Sequence, residues 1–145
     1  MLSALPRVVI DTNIVLDLWV FDDPHSDALR LALREQRLQW IATQAMHDEF
    51  VRVLDYPAIV RARQRRGLDV TSALARFEAH VTWVSAAPAC GILCADADDQ
   101  GFVDLAVAHR AWLLSKDGVV LGLQRALRDR GVRVAQPQEM KKMLG

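Results

Sequence analysis

The sequence predicts an α/β fold in which a parallel sheet carries helices on both faces. Short apolar runs alternate with longer amphipathic segments from one end of the chain to the other, which is the pattern of repeated strand–helix units. The first run, Val8-Val9-Ile10, is β-branched and continuously apolar, as expected of a strand buried on both faces. The 145 residues fit one compact domain over 1–145, and a 52% hydrophobic content can supply a large core.

The individual elements are predicted from hydrophobic spacing and from residues that start or stop helices. Asp22-Asp23-Pro24 marks a helix start, because proline and acidic side chains suit the first turn. Thr43 is a suitable N-cap, and Gly131 is a suitable C-cap. Pro57 interrupts the chain before a basic stretch that stops at Gly67. The predicted helices are 26–37, 44–55, 71–80, 98–111, 121–130 and 138–144. The predicted strands are 8–10, 38–42, 81–85, 113–115 and 132–135.

The bulk composition narrows the function classes. With 18 basic and 18 acidic residues the formal net charge is zero, which is not the basic balance typical of nucleic-acid-binding domains. An acidic metal site within a slightly basic surface would give the same sum. Cys90 and Cys94 have no further cysteine or paired histidines nearby, so we expect reduced, partly buried thiols and no zinc site. Neither a secretory signal nor a membrane-spanning stretch is recognisable, so we expect a cytoplasmic protein without a membrane partner.

Four acidic residues suggest where the chemistry occurs. Asp11 and Asp117 each follow an apolar run predicted as a strand, and parallel sheets bind ligands beyond the carboxyl ends of their strands. Glu49 falls at the edge of the apolar stripe of its predicted helix, whereas Asp48 falls on the opposite side. Asp99 shares a helix face with the apolar residues three and seven positions later. All four are therefore expected at one rim of the sheet.

Two further acids near Asp99 are sorted by the same helical geometry. Asp104 is predicted to point away from the site and to be solvated. Asp98 is ambiguous, because an acid near a helix start can simply interact with the helix dipole.

Gathered carboxylates need a countercharge. Two unit charges 4 Å apart repel by roughly 4 kcal/mol at an effective dielectric near 20, and a hard divalent cation with oxygen ligands is the usual solution. Such ions can stabilise both the attacking and the leaving oxygen of a phosphodiester. Each acid also has a structural alternative: capping a helix for Asp11, stabilising a helix start for Asp99, pairing with Arg52 for Glu49, and opening a turn for Asp117. Together the four favour metal-dependent phosphoryl chemistry.

Four segments together resemble PIN domains, in particular the bacterial group of toxin components of toxin–antitoxin systems. They are Val8-Val9-Ile10-Asp11-Thr12-Asn13, Met46-His47-Asp48-Glu49-Phe50, 98–108 and Leu113-Leu114-Ser115-Lys116-Asp117. The similarity runs over about 7–137. It implies a three-layer α/β/α sandwich around a parallel sheet, and endoribonuclease activity that depends on Mg²⁺ or Mn²⁺. It also implies an RNA substrate, a cognate antitoxin partner and a homodimer.

The resemblance also implies residue roles. The catalytic and metal-binding positions match Asp11, Glu49, Asp99 and Asp117. Asn13 and Ser115 match the small polar residues that orient the first and last of these acids. Two positions depart from the family pattern: Ala97 replaces a proline that often precedes the paired aspartates, and Lys116 stands where a small or polar residue is common.

A basic cluster is the expected RNA-binding surface, although a solvated helix face explains it equally well. Its members are Arg61, Arg63, Arg65 and Arg66. Two other functions remain open: a PIN-like nuclease that acts on RNA or DNA outside any toxin system, and a non-catalytic module whose acids stabilise a metal-bound structure. A glycine-rich phosphate loop is missing from the sequence, which argues against a nucleotide-binding enzyme.

Overall fold

A computed structural model describes residues 5–145 and places five parallel strands in a central sheet. The strands are β1 (Arg7–Ile10), β2 (Gln39–Ala42), β3 (Val81–Trp83), β4 (Trp112–Leu114) and β5 (Val134–Ala135). Their order across the sheet is β3-β2-β1-β4-β5. From the central strand β1, the chain adds β2 and β3 on one side of the sheet and then β4 and β5 on the other side. The direction reverses between β1 and β4, and ligands of open parallel sheets bind at such a reversal.

Helices connect the strands. They are α1 (Thr12–Trp19), α2 (Asp27–Arg34), α3 (Gln44–Val53), α4 (Pro57–Arg65), α5 (Val70–His80), α6 (Gln100–His109), α7 (Gly118–Leu121), α8 (Gln124–Arg128) and α9 (Met140–Met143). Short 3₁₀ turns precede α2, α6 and α9. Within the described residues, none of these helices has the length and apolar character needed to cross a bilayer.

Alternate strand residues point into two separate cores. Val8 and Ile10 pack on one face of the sheet, with α1, α2, α3 and α5. Val9 lies between them in sequence and packs on the opposite face, with α6 and α8. All three side chains are almost completely buried, which explains why the first strand is apolar throughout. The predicted α/β fold, three layers around a parallel sheet, is confirmed.

Several predicted elements need correction. The helix α1 was not among the predicted helices, although capping of a helix was the structural alternative for Asp11. Asp11 does cap α1, by accepting a hydrogen bond from the backbone N–H of Ile14 at 3.1 Å. The basic stretch after Pro57 is the helix α4. The helix predicted over 121–130 is shorter, because a separate helix, α7, ends at Leu121 with Gly122 as its C-cap and α8 spans only Gln124–Arg128.

Candidate metal centre

The predicted acids converge at the carboxyl edge of the sheet, next to the reversal between β1 and β4. Asp11 immediately follows β1, and its backbone N–H donates to the carbonyl oxygen of Leu114 in β4 at 3.1 Å. This hydrogen bond extends the β1–β4 pairing by one residue. It fixes the start of α1 beside the segment that leads from β4 to Asp117.

Ser115 joins the first and the last of these acids. Its side chain is completely buried, and its hydroxyl donates to Oδ2 of Asp11. The same hydroxyl oxygen accepts the backbone N–H of Asp117 at 3.1 Å. Ser115 therefore holds the Asp11 carboxylate and the Asp117 backbone in a fixed relation across the two strand ends. This arrangement is in keeping with the supporting role predicted for Ser115.

Thr12, which was not among the predicted site residues, orients Glu49. Its hydroxyl donates to Oε2 of Glu49 at 2.8 Å, which connects the start of α1 to α3. Glu49 is half-buried and makes no ion pair with Arg52 within the described residues. Asn13 was expected to support the site, but it is exposed, and its side chain forms no hydrogen bond within 5–145. Of these two residues after Asp11, Thr12 and not Asn13 forms a hydrogen bond to another acid of the site.

A fifth acid, Asp96, belongs to the cluster. Carboxylate oxygens of Asp96, Asp99 and Asp117 all lie within 4.8 Å of one another. Asp96 also caps the 3₁₀ turn before α6, since its Oδ1 accepts the backbone N–H of Asp98 at 3.0 Å. Asp98 itself is exposed. Asp96 was not predicted from the sequence because it precedes the helix, where helical spacing gives no information.

The segment that delivers Asp96 is fixed by two side chains of α6. The carboxylate of Asp104 accepts the backbone N–H of Cys90 at 3.1 Å and the Gln100 amide at 3.0 Å. The Gln100 side chain in turn accepts the backbone N–H of Cys94 at 2.8 Å. The prediction of a solvated Asp104 was therefore wrong, because this half-buried carboxylate holds the chain between β3 and α6. Both cysteines are free thiols.

The electrostatics show that the acids act on one another. The pKa of Asp99 is raised from 3.8 to about 6, chiefly by burial and in addition by the negative charges of four neighbouring carboxylates. These neighbours are Asp96, Asp11, Asp117 and Glu49. The pKa of Asp11 is also raised to about 6, chiefly by burial, although hydrogen bonds from Ser115 and Ile14 oppose the shift.

No side-chain cation of the described chain neutralises this cluster by direct contact. Lys116 lies closest in sequence, but its Nζ pairs with Oδ2 of the buried Asp17 at 2.5 Å. Within 5–145, none of the five acids has a lysine, arginine or histidine nitrogen within 4.0 Å. The excess negative charge must therefore be balanced by something other than a contacting side chain.

The donor set fits a hard divalent cation. It consists of carboxylate oxygens only, which Mg²⁺ and Mn²⁺ prefer. One carboxylate oxygen each of Asp96, Asp99 and Asp117 lies within 4.8 Å of the other two, so a single ion could take ligands from all three.

The basic cluster divides into buried and exposed members. Arg63 is 8% exposed, and its guanidinium donates to the backbone carbonyls of Leu54 and Leu68 at 3.1–3.3 Å. Arg63 stabilises the turn after α4, and because it is buried it does not belong to the predicted RNA-binding surface. Arg66 lies 3.5 Å from Asp22, whereas Arg61 and Arg65 are exposed and form no ion pair within the described residues.

A family model described as PIN domain matches residues 7–118, a span that contains all five acids. The chain belongs to the PIN domain family. PIN domains are a nuclease family, so nucleic acid is the class of substrate. A comparison with curated proteins gave no match.

Two solved structures resemble the fold. One is VapBC2 from Rickettsia felis bound to a DNA fragment from its promoter, with a TM-score of 0.61 and 13% identity over 90% of this chain and 98% of that chain. The other is a PilT N-terminus domain protein from the archaeon Sulfolobus solfataricus P2, with a TM-score of 0.47 and 16% identity over 95% and 92% of the two chains. At 13% identity the first likeness establishes the shared fold alone.

Proposed function

We propose that the protein is a metal-dependent endoribonuclease that hydrolyses RNA phosphodiester bonds. The observation that supports this most strongly is the group of five carboxylates at the strand reversal of a PIN fold, with no contacting side-chain cation among the described residues. Asp11, Glu49, Asp96, Asp99 and Asp117 would together hold Mg²⁺ or Mn²⁺.

Each part of the chain has a distinct task in this proposal. A bound divalent cation supplies charge stabilisation to the attacking and leaving oxygens of the phosphodiester. Ser115 keeps Asp11 in position, and Thr12 does the same for Glu49. None of the five acids has a histidine nitrogen within 4.0 Å in the described part of the chain. We therefore assign acceptance of the proton from the attacking water to a carboxylate of the cluster.

The first test is metal-dependent cleavage of single-stranded RNA beside DNA of the same sequence. We expect Mg²⁺ or Mn²⁺ to support RNA cleavage and a chelator to stop it. Asp99→Asn and Glu49→Gln should each lower the single-turnover rate severely at saturating Mg²⁺, because the amide keeps the shape but loses the charge that holds the cation.

Asp48→Asn is the matched control, since Asp48 is exposed beside Glu49 on α3. Removing a screened surface charge costs under about 1 kcal/mol, so this variant should retain most of the rate. Asp98→Asn should also lose less activity than Asp99→Asn. Cleavage that survives chelation, or that is equal in wild type and Asp99→Asn, would contradict the proposal. Cleavage of DNA alone would favour a nuclease outside any toxin system.

The biological role proposed here is that of the toxin of a type II toxin–antitoxin pair. The four segments around Asp11, Glu49, Asp99 and Asp117 resemble such toxins, and the fold is shared with a structure named VapBC2. We propose a cognate antitoxin and a homodimer as partners. Growth arrest on expression, absent for Asp99→Asn and relieved by a small DNA-binding protein from a neighbouring gene, would support this role. Light scattering of the purified chain would test the dimer.

A further inference from the structure

A groove adjoins the acidic cluster and is not explained by metal binding. It lies between α3, the first turn of α6 and the segment after β3, and its volume is about 250 Å³. Pockets that enclose small-molecule ligands usually measure roughly 300–1,000 Å³. The groove therefore suits a single ring system better than an extended ligand.

The groove is continuous with the proposed metal centre. Glu49 lines the groove and accepts a hydrogen bond from the hydroxyl of Thr12, the residue that follows Asp11. Asp98 also lines the groove and is the immediate neighbour of Asp99. A phosphate bound at the acids would thus place the adjoining nucleoside at the mouth of the groove.

The lining combines apolar walls with two free polar groups. Ala45, Met46 and Ala87 contribute apolar surface, while Arg52 and Asp98 contribute a cation and a hydrogen-bond acceptor. Within residues 5–145, neither of these two charged side chains forms an ion pair or a side-chain hydrogen bond. Unpaired bases are held by apolar contact and by hydrogen bonds to their edges, and guanidinium groups suit phosphates. The free groups thus match the two ends of one nucleotide.

Gly101 lines the groove close to Asp98 in sequence. It lies in the first turn of α6, its backbone does not require glycine, and a Cβ added there would meet nothing within 4 Å. Glycine weakens a helix relative to alanine. Because the space around this position is open, a large side chain introduced here could extend into the groove.

We propose that this groove binds the base next to the scissile phosphate of single-stranded RNA and that Asp98 selects a base with an amino group over uracil. An ionised carboxylate only accepts hydrogen bonds. Adenine, cytosine and guanine present exocyclic amino donors, whereas uracil has none, and its single N3–H donor is flanked by two carbonyl oxygens that the carboxylate repels. Arg52 contacts the phosphate of the same nucleotide. This inference rests on the proposed ribonuclease function.

The test is sequencing of the products from a randomised single-stranded RNA pool. Wild type should disfavour uracil at one position beside the cut by about tenfold, within the range that a well-placed base contact gives. Gly101→Leu should fill the groove and abolish the preference. Asp98→Asn should relax it, because an amide can also donate to uracil. Ala108→Leu, on an exposed position of the same helix outside the groove, and Asp48→Asn are the controls and should keep the wild-type preference.

Two readouts separate failure of this inference from failure of the proposed function. A Mn²⁺-induced rise in melting temperature shows that Gly101→Leu folds and holds metal. If such a variant cleaves with the wild-type preference, or if Asp98→Asn keeps it, the base site is overturned while the ribonuclease stands. If wild type does not cleave RNA, the base site is tested by measuring the binding of the four nucleoside 5′-monophosphates in the presence of Mn²⁺. If wild type binds the uridine nucleotide more weakly than the other three, and Gly101→Leu removes this difference, the base site in the groove is supported. If wild type binds all four equally, or binds none, the base site is overturned.

Discussion

Asp11 is the most deeply buried acid of the proposed centre. Its side chain is 3% exposed and receives hydrogen bonds from Ser115 and from the backbone of Ile14. Hydrogen bonds of this kind stabilise a carboxylate, but desolvation opposes its charge more strongly, so the pKa rises to about 6. Without a cation, the folded protein keeps this residue protonated to a higher pH than the unfolded chain does.

This raised pKa predicts a pH-dependent stability in the metal-free protein. The protonated Asp11 contributes stability that is fully present below pH 3.8 and is lost as the pH rises through about 6. Asp99 shifts in the same direction. At about 1.4 kcal/mol per pKa unit, the contribution of Asp11 is at most about 3 kcal/mol. Asn at position 11 cannot titrate. In the presence of a chelator, the free energy of unfolding of Asp11→Asn should therefore rise relative to that of wild type between pH 4 and 6, and the difference should then persist at higher pH.

Denaturant unfolding at several pH values measures this difference. The Ser115 hydroxyl can rotate to accept from an amide at position 11, so the variant should retain the local geometry. Asp48→Asn serves as the control, because it removes the same charge from an exposed position outside the cluster and should not reproduce the gain. A constant difference between wild type and Asp11→Asn from pH 4 to 7 would contradict the prediction.

The sequence identified four of the five clustered acids, and the reason for the omission is physical. Asp11 and Asp117 follow strands, and Glu49 was selected by helical spacing. Asp96 lies in an irregular segment whose path depends on two backbone N–H groups that donate to the side chains of Asp104 and Gln100. These acceptors lie 14 and 6 residues along the chain from their donors. Such contacts between a loop and a helix have no periodic signal. For the same reason, Asp104 was wrongly expected to be solvated.

At the scale of elements, α1 was missed because it has no polar face. Its residues from Ile14 to Trp19 are all buried, including Asp17, which pairs with Lys116. Amphipathic spacing identifies helices that have a solvated side, and a helix buried all round lacks that signal. The strands were predicted within a few residues, because short β-branched runs between polar segments remain recognisable. The sequence therefore determined the layers well, but not every helix within them.

The helix α4 gives a prediction about RNA binding. Arg61 and Arg65 are exposed on it, whereas Arg63 is bound to backbone carbonyls. Replacing both exposed arginines by glutamine should weaken binding of single-stranded RNA and flatten its dependence on salt. Each lost phosphate contact should reduce the slope of log K against log salt by roughly 0.7. Binding is measured by fluorescence anisotropy in the inactive Asp99→Asn background.

The matched control removes the same charge from the opposite face of the sheet. Arg125 and Arg128 are exposed on α8, and their double replacement by glutamine should leave the slope unchanged. An unchanged slope for the α4 variant would assign its arginines to the solvated surface. An equal decrease for both pairs would indicate a response to net charge rather than a binding face.

At the scale of the whole molecule, the acids connect elements from both sides of the sheet. Glu49 is on α3, which packs in the core with Val8, whereas Asp99 directly precedes α6, which packs in the core with Val9. Asp11 and Asp117 follow β1 and β4. A cation held by these residues would cross-link both layers of helices to the centre of the sheet, so metal binding should stabilise the entire fold.

Thermal unfolding tests this coupling. A ligand that binds only the folded state at a hundredfold excess over its dissociation constant adds about 2.7 kcal/mol, which corresponds to roughly 5–10 °C for a chain of this length. Mg²⁺ or Mn²⁺ should therefore raise the melting temperature of wild type and of Asp48→Asn by several degrees, and that of Asp11→Asn by much less. Without metal, Asp11→Asn should melt at or above the wild-type temperature at neutral pH, because one buried charge is gone. Equal shifts in wild type and Asp11→Asn would show that the stabilising ion binds elsewhere.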